Sequence, residues 1–343
     1  MRGRSCRLRA LTQSVRISRE RTSDGARQSA PRRTWRCGTL AAIAWLVLAG
    51  FTARWPDAGD VGPTGLLVAC MAMIGIILAG TTAASRYVDL PGVIRAGPWL
   101  IALAVLLGLW ELTSAKLDLL PRPFFATPQS LIEVYLDDWP RLFECTLRSL
   151  MLLMTGYTIG AVFGFIGGVA IGWSRAVGYW AHPVLRFIGP LPATAWLPLA
   201  FFAFPSSWSA GVFLIALATG FPVTVLTWSG VAGVNPAFYD VARTLGAQSP
   251  FLILKVAIPA AMPSVFVGLF MGLGASFAVL VVAEMMGVKA GLGWYLSWAQ
   301  GWAAYSNMYA ALIVMALMCS GLITLLFRLR DWLLSWQRGL LRW

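Results

Sequence analysis

Eight apolar runs, at residues 38–55, 64–84, 98–115, 146–172, 183–204, 208–230, 261–286 and 306–328, decide what this chain can fold into. A helix needs about 20 mostly apolar residues to cross the hydrocarbon core of a bilayer, and these runs meet that length. Inside lipid every backbone N–H and C=O must find a partner within the protein, so isolated apolar runs of this kind span as helices. Hydrophobic residues make up 58% of the sequence and charged residues 12%, with a mean hydropathy of +0.72, a balance foreign to soluble domains. The expectation is an all-α integral membrane protein, a polytopic bundle of eight transmembrane helices.

Charge sets the expected orientation. The net charge of +13 comes from basic residues crowded at the ends, around Arg2 to Arg36 and Arg328 to Arg342. That placement suits anionic lipid headgroups rather than nucleic acid. The positive-inside rule then puts both termini, the Arg86/Arg95 loop, Arg175 and the Arg243/Lys255 loop in the cytoplasm. The Asp57/Asp60 loop, the segment carrying Glu133, Asp137, Asp138 and Glu144, and the Lys289 loop fall outside. Residues 1–36 are polar and rich in arginine, with Ser and Thr interleaved, and read as a disordered arm ahead of a misassigned start or a transit peptide. The five cysteines, at 6, 37, 70, 145 and 319, lack any C-x-x-C spacing and read as packing residues, and His182 has no ligand partner at helical spacing. No metal site and no catalytic group is expected.

The one polar hairpin with strong local signals lies between the sixth and seventh runs, at residues 235–259. Asn235 is a good N-cap, Pro236 suits the first helical position, Asp240 complements the positive end of the helix dipole, and Gly246 can take the left-handed turn that ends a helix. Ser249 and Pro250 repeat the cap-plus-proline signal and launch the next apolar helix. Phe238, Val241, Ala242 and Leu245 follow the spacing of an apolar stripe, while Tyr239, Arg243 and Gly246 share another face. A helix this short cannot hold itself in water, so one face needs a groove on a partner.

Three further patterns stand out inside the spans. Gly156, Gly160, Gly164, Gly168 and Gly172 make a smooth ridge, which lets two helix backbones approach closely, and Gly268, Gly272 and Ser276 repeat the device. Static packing is the plainer reading of these ridges, and a rocking helix pair the more ambitious one. In Gly189-Pro-Leu-Pro-Ala-Thr-Ala-Trp-Leu-Pro198, prolines at 190, 192 and 198 forbid a regular helix. Broken helices at membrane depth often line substrate sites, so Pro190, Pro192, Trp196 and Pro198 are candidates for a translocation path. Glu111 and Glu284 are the notable carboxylates within spans; both sit near an expected outer end where they can snorkel to water, and Glu284 joins the path candidates as a capping, orienting or gating group. Before the fourth span, prolines at 121, 123 and 128 predict an extended stretch leading into a helix on the outer membrane face.

The hairpin resembles the EAA loop of bacterial ABC importer permeases: Glu-Ala-Ala, three residues, Gly, nine residues, then Ile-x-Leu-Pro. Here Asp240-Val241-Ala242 is followed at the same spacing by Gly246 and by Val256-Ala257-Ile258-Pro259. With the Gly189 to Pro198 segment, Ala283-Glu-Met285 and the Arg/Trp-rich tail, the chain is similar to the nitrate/sulfonate/taurine branch of that family from about Gly97 to Trp343. The resemblance implies a permease core at 97–343 of the type I importer kind, preceded by a basic arm at 1–36 and two accessory spans at 37–96. It implies that Tyr239, Asp240, Val241, Ala242, Arg243, Gly246 and Pro259 form the loop that couples to an ATPase. The implied partners are a second permease copy, two ATPase subunits and a substrate-binding protein outside. The chain has no G-x-x-x-x-G-K-[ST] loop and only three lysines, so ATP and Mg would sit on the partner. The implied cargo is a small anion such as nitrate, a sulfonate or taurine, with a vitamin precursor left open. From a different class, an ion-coupled carrier or a non-transporting scaffold also remains.

Overall fold

The computed structural model describes residues 35–59, 62–84, 91–120 and 123–335, with 91–95 by backbone alone. The expected basic arm, Arg86, Pro121 and the end of the Arg/Trp-rich tail lie outside the described residues. The chain forms two compact units, Met1–Leu119 and Leu120–Trp343.

The first unit holds α1 (Arg36–Arg54), α2 (Thr64–Ala84) and α3 (Pro91–Glu111), which runs on through a π-helical turn, Leu112–Lys116. α1 packs against both of the others. Its contact face is small, with Ala41, Ala42 and Ala49 buried, and Trp45 donates its indole N–H to the Leu100 carbonyl at 3.1 Å. The sequence reading put a boundary at 96, between the accessory spans and the permease core; by contacts the third span groups with the first two, in the unit that ends at Leu119. One polar cluster ties the unit together. Lys116 is buried, and its Nζ donates to the carbonyls of Thr52 (2.9 Å) and Trp55 (2.5 Å) and to Asp57 Oδ1 (2.7 Å). Glu111 Oε1 lies 4.0 Å away, so this carboxylate is buried beside an ammonium instead of snorkelling to water. The lysine thus satisfies carbonyls at the end of α1 that have no helical partner. Lys116→Met is expected to cost about 3–5 kcal/mol, because a buried ion pair would be broken and the carbonyls of Thr52 and Trp55 would lose their donor. Unchanged thermal stability of the purified variant would contradict this.

In the second unit the helices are α4 (Pro128–Asp137), α5 (Trp139–Trp173), α6 (Arg175–Ile188), α7 (Leu197–Ala203), α8 (Ser207–Ala232), α9 (Pro236–Thr244), α10 (Ile258–Met286), α11 (Leu292–Gly301) and α12 (Tyr305–Leu333). The helix expected after the proline-rich stretch is α4, started by Thr127, whose hydroxyl accepts from the Ser130 N–H, and by Pro128 in the first turn. α8 is central, flanked by α5 and α10, and is launched by a reciprocal Ser206/Ser209 capping box. Leu152 and Leu153 of α5, Leu214 and Ile215 of α8, and Val279 and Leu280 of α10 form the core between them.

Seven described helices are long and apolar enough to cross a membrane, or eight if one bent pair counts as a span. That pair bears out the proline break read from the sequence and moves the bounds of the run. The run at 183–204 is not one helix: α6 starts at Arg175, ends at Ile188, and meets the segment Ala193–Ala203 at an angle of 85°. Pro190 and Pro192 have no N–H to give a helix, and Pro192 is itself extended, at φ −63° and ψ 140°. α5 also begins earlier than expected, at Trp139, because Pro140 is harmless in a first turn. At 35 residues it is about 50 Å long, well beyond a hydrocarbon core, which accommodates Arg141, Glu144 and Arg148 in its opening turns.

Candidate functional site

The hairpin forms as its turn chemistry dictates. Asn235 caps α9 by accepting from the Ala237 N–H at 3.0 Å, Pro236 is the first helical residue, and Gly246 adopts φ +82° just past the end. Two expectations change. Asp240 stands beyond the first turn, where it lies 3.5 Å from Arg243 rather than at the dipole's positive end. Ser249 is not a cap but the first residue of the helical turn Ser249–Phe251, which opens into π-helical Leu252–Ala257 before α10. Pro259, in the first turn of α10, offers no N–H to the carbonyl four residues back, and the wider π turn precedes it.

Along α9 no residue is fully buried, and Phe238, Val241 and Leu245 are 59%, 62% and 83% exposed. Phe238 and Val241 of the nine-residue helix, with Leu245 at its C-cap, therefore stand largely uncovered among the described residues. Tyr239 is the opposite case. It turns inward, edge-on to Trp173 at 5.9 Å between ring centroids, and burial raises its phenol above the usual value.

The broken span encloses a cavity of about 320 Å³ lined by Pro192, Ala193 and Thr194 with Leu217, Phe221 and Ala275 among others. Thr194 brings the one side-chain hydroxyl among the described lining residues, and no charged group lines it. Of the sequence candidates, Pro192 lines this space. Pro190 and Pro198 belong to the break without lining it, and Trp196 packs its ring onto the central core. Glu284 is elsewhere: it is 1% exposed, and its carboxyl group accepts from Ser149 Oγ at 2.7 Å and from the Gly293 N–H at 2.7 Å. The Ser149 hydroxyl oxygen in turn accepts from the Leu292 N–H at 2.8 Å. The snorkelling read from sequence is thus replaced by a closed set of hydrogen bonds that ties α10 to α5 and to the start of α11. Gly291, at φ +104°, passes so close that any Cβ would collide with the Glu284 carboxyl group.

Both small-residue ridges face the same helix. A Cβ at Gly156, Gly164, Gly168 or Gly172 would meet Ile215, Val223, Thr227 or Val231 of α8 at 3.0 Å or less, and one at Gly160 would run into the backbone of Ala216. From the other side, Gly268 and Gly272 of α10 lie against Val223 and Thr219, and Ser276 shares a 2.5 Å hydrogen bond with Thr219. Residues 156–339, which hold both ridges, the broken span and the hairpin, match the family described as the binding-protein-dependent transport system inner membrane component. The chain belongs to this family. Among its relatives, the nitrate import permease protein NrtB of Leptolyngbya laminosa is 30% identical over 173 residues, 48% of this chain and 62% of that protein. The bicarbonate transport system permease protein CmpB of Synechococcus elongatus is 30% identical over 174 residues, covering 47% and 63%. A Bacillus subtilis protein named for aliphatic sulfonate transport, SsuC, is 29% identical over 178 residues, covering 50% and 63%. The chain thus spans less than two thirds of the length of these relatives.

Several residues of this inner membrane component were not visible as site residues in the sequence. Trp173 and Ser149 had no motif around them. On α11, Trp294, Tyr295 and Trp298 surround the Arg141 guanidinium, which lies 4.0 Å from the Trp298 ring centre. Tyr295 donates to Asp138 at 2.6 Å and accepts from Asn307 at 2.7 Å, and burial, helped by that Asp138 bond, pushes its phenol well up. The recurring Trp at this helical spacing was the available signal. His182 stacks edge-on against Trp228 of α8, 4.4 Å between centroids, so its ring is a packing group. Among the described residues no three His, Cys, Asp or Glu side chains gather where a metal ion could sit.

Proposed function

We propose that this chain is the permease subunit of an ATP-driven importer and moves a small anion by alternating access. The observation that carries the reading is α9: a capped helix on a tight hairpin, presenting Phe238, Val241 and Leu245 to the outside of the chain. Short amphipathic helices of this kind dock into apolar grooves on a partner. In an importer of this family that partner is an ATPase subunit, which carries ATP and Mg; the full assembly comprises two ATPase subunits, two copies of this chain and a binding protein outside. The arginine pattern supports a cytoplasmic α9 and cytoplasmic termini. The permease itself performs no covalent chemistry. ATP binding closes the ATPase pair, draws the two hairpins together and turns the helix core from inward-open to outward-open; hydrolysis resets it.

For the cargo, the relatives named for nitrate, bicarbonate and aliphatic sulfonate support a small oxyanion or sulfonate. The cavity beside the broken span is of a size for such a solute, and the Thr194 hydroxyl is a donor it offers to an oxyanion. The test is affinity purification of the chain from its native membrane in mild detergent. An ATPase subunit at near-equal amounts supports the reading, and its absence across several detergents refutes it. Gly246→Val adds a sharper check. A Cβ there meets nothing within 4 Å, so only the backbone is strained, and a β-branched residue at φ +82° resists that conformation by on the order of 1–2 kcal/mol. Insertion should be normal while uptake per ATP hydrolysed falls about tenfold or more, a coupling loss of roughly 1.4 kcal/mol; normal uptake would count against the hairpin's role.

A further inference from the structure

α9 has two distinct faces. Of its nine residues only Tyr239 and Ala242 are even partly buried; the rest, including Phe238 and Val241, are exposed. Tyr239 is the large side chain that α9 turns toward the rest of the unit. Its ring packs edge-on against Trp173, interplanar angle 72°, in a small apolar cluster whose buried members are Val231, Ala257 and Ala261. Besides α9, the cluster draws on four elements at once. Trp173 is the last residue of α5, Val231 lies in the last turn of α8, Ala257 ends the π-helical turn, and Ala261 is in the first turns of α10. Directly after Trp173, Ser174 caps the start of α6, its hydroxyl accepting from the Val177 N–H, and α6 leads to the break at residues 189–192.

This arrangement gives α9 one firm point of purchase. The segments on either side of the helix are turns, and a turn transmits displacement poorly because its dihedrals can yield. A packed aromatic pair resists compression. α5 is itself clasped to α8 through the glycine ridge, so a load on its end at Trp173 is passed to a rigid pair rather than absorbed. The phenol hydroxyl makes no hydrogen bond among the described residues, so the contact rests on the shape of the ring alone.

Building on the importer reading above, we propose that Tyr239 is the positioning residue through which α9 moves the helix bundle. It faces away from the ATPase and seats against Trp173 at the meeting point of α5, α8 and α10. Phe238, Val241 and Leu245 grip the partner, and Tyr239 passes the motion inward. The two jobs are separable by mutation.

The experiment uses the full complex in lipid nanodiscs, purified with its ATPase subunits, with three readouts: the amount of ATPase subunit bound, the rate of ATP hydrolysis, and backbone hydrogen exchange at residues 189–196 with and without ATP, Mg and vanadate. In the unsubstituted complex, trapping the nucleotide is expected to change exchange at the break by about threefold or more, as local opening free energies shift. Tyr239→Ala and Trp173→Ala should each keep the ATPase subunit bound and hydrolysing while abolishing that change, and the double variant should be no worse than either single one. Tyr239→Phe should behave as the unsubstituted complex. Should Tyr239→Ala fail to accumulate, Tyr239→Leu keeps apolar bulk without the ring edge and carries the same expectation. A full exchange response in Tyr239→Ala overturns the proposal. So does release of the ATPase subunit by Tyr239→Ala under conditions where Phe238→Asp still holds it, since Tyr239 would then face the partner. Absence of any ATPase subunit from the unsubstituted chain is a different failure and removes the importer reading itself.

Discussion

Gly160→Ala is expected to destabilise the protein by about 1–3 kcal/mol, and Gly160→Val by more, although each adds only apolar atoms to an apolar span. The added Cβ would collide with the Ala216 carbonyl oxygen and would lie 2.8 Å from Thr219 Cβ and 2.9 Å from Ala216 Cα. Two of these three neighbours are backbone atoms of α8, which cannot swing aside, so the two helices must separate. In lipid there is no hydrophobic gain to hold them together, and close backbone contact is much of what joins α5 to α8. Separation at Gly160 would loosen Gly156 and Gly164 on either side as well. Gly167 supplies the control: it lies in the same helix, but a Cβ there meets nothing nearer than 3.9 Å, the Thr224 methyl. Gly167→Ala should therefore stay within about 0.5 kcal/mol of the parent. The measurement is the thermal unfolding midpoint of the detergent-purified variants, which should fall by roughly 2–4 °C per kcal/mol for Gly160→Ala. Equal midpoints for Gly160→Ala and Gly167→Ala would mean that the ridge is not a close-packed contact.

The ridge also shows what was legible in the sequence and what was not. A glycine at every fourth position declares that one face of α5 is smooth, because the helical period fixes which residues share a face. It does not declare what lies against that face. The second ridge, on α10, named no partner either, whereas both ridges clasp α8, whose contact residues Ile215, Thr219 and Val223 carry no pattern that would single them out. The hairpin was readable nearly to the residue, since caps, proline and a left-handed glycine are local chemistry; Asp240 and Ser249 were misplaced by less than two turns. The proline break was visible too, yet hydropathy averaged over it and yielded one span where the chain bends by 85°. Contacts across long separations were out of reach. Lys116 with Asp57, Ser149 with Glu284 and Trp173 with Tyr239 are each decided by tertiary packing, and a single sequence carries no trace of such pairs.

Glu284→Ala is the other substitution with a large expected effect, and it separates a structural carboxyl group from a solvent-facing one. With the carboxyl group gone, the Gly293 N–H and the Ser149 hydroxyl lose their acceptor in a buried site. Each stranded donor costs about 1–3 kcal/mol, so the variant should be less stable by roughly 2–5 kcal/mol. The loss should be localised: the link between α10 and the first turn of α11 depends on this group, and α11 carries the Tyr295 and Trp298 contacts to α5 and α12. Glu284→Gln keeps one acceptor oxygen and should fall between the two, since its amide nitrogen would confront one of two groups that both donate. Ser149→Ala removes a donor from Glu284 and the acceptor for the Leu292 N–H, and should also destabilise. Because the three groups form one set of bonds, the double variant Ser149→Ala with Glu284→Ala should cost less than the sum of the single ones, by about 0.5–3 kcal/mol. Thermal midpoints of the four variants against the parent measure all of these. A group near the membrane surface and open to water would instead tolerate alanine with little change and show additive effects with Ser149. That pattern would mean that Glu284 holds nothing together.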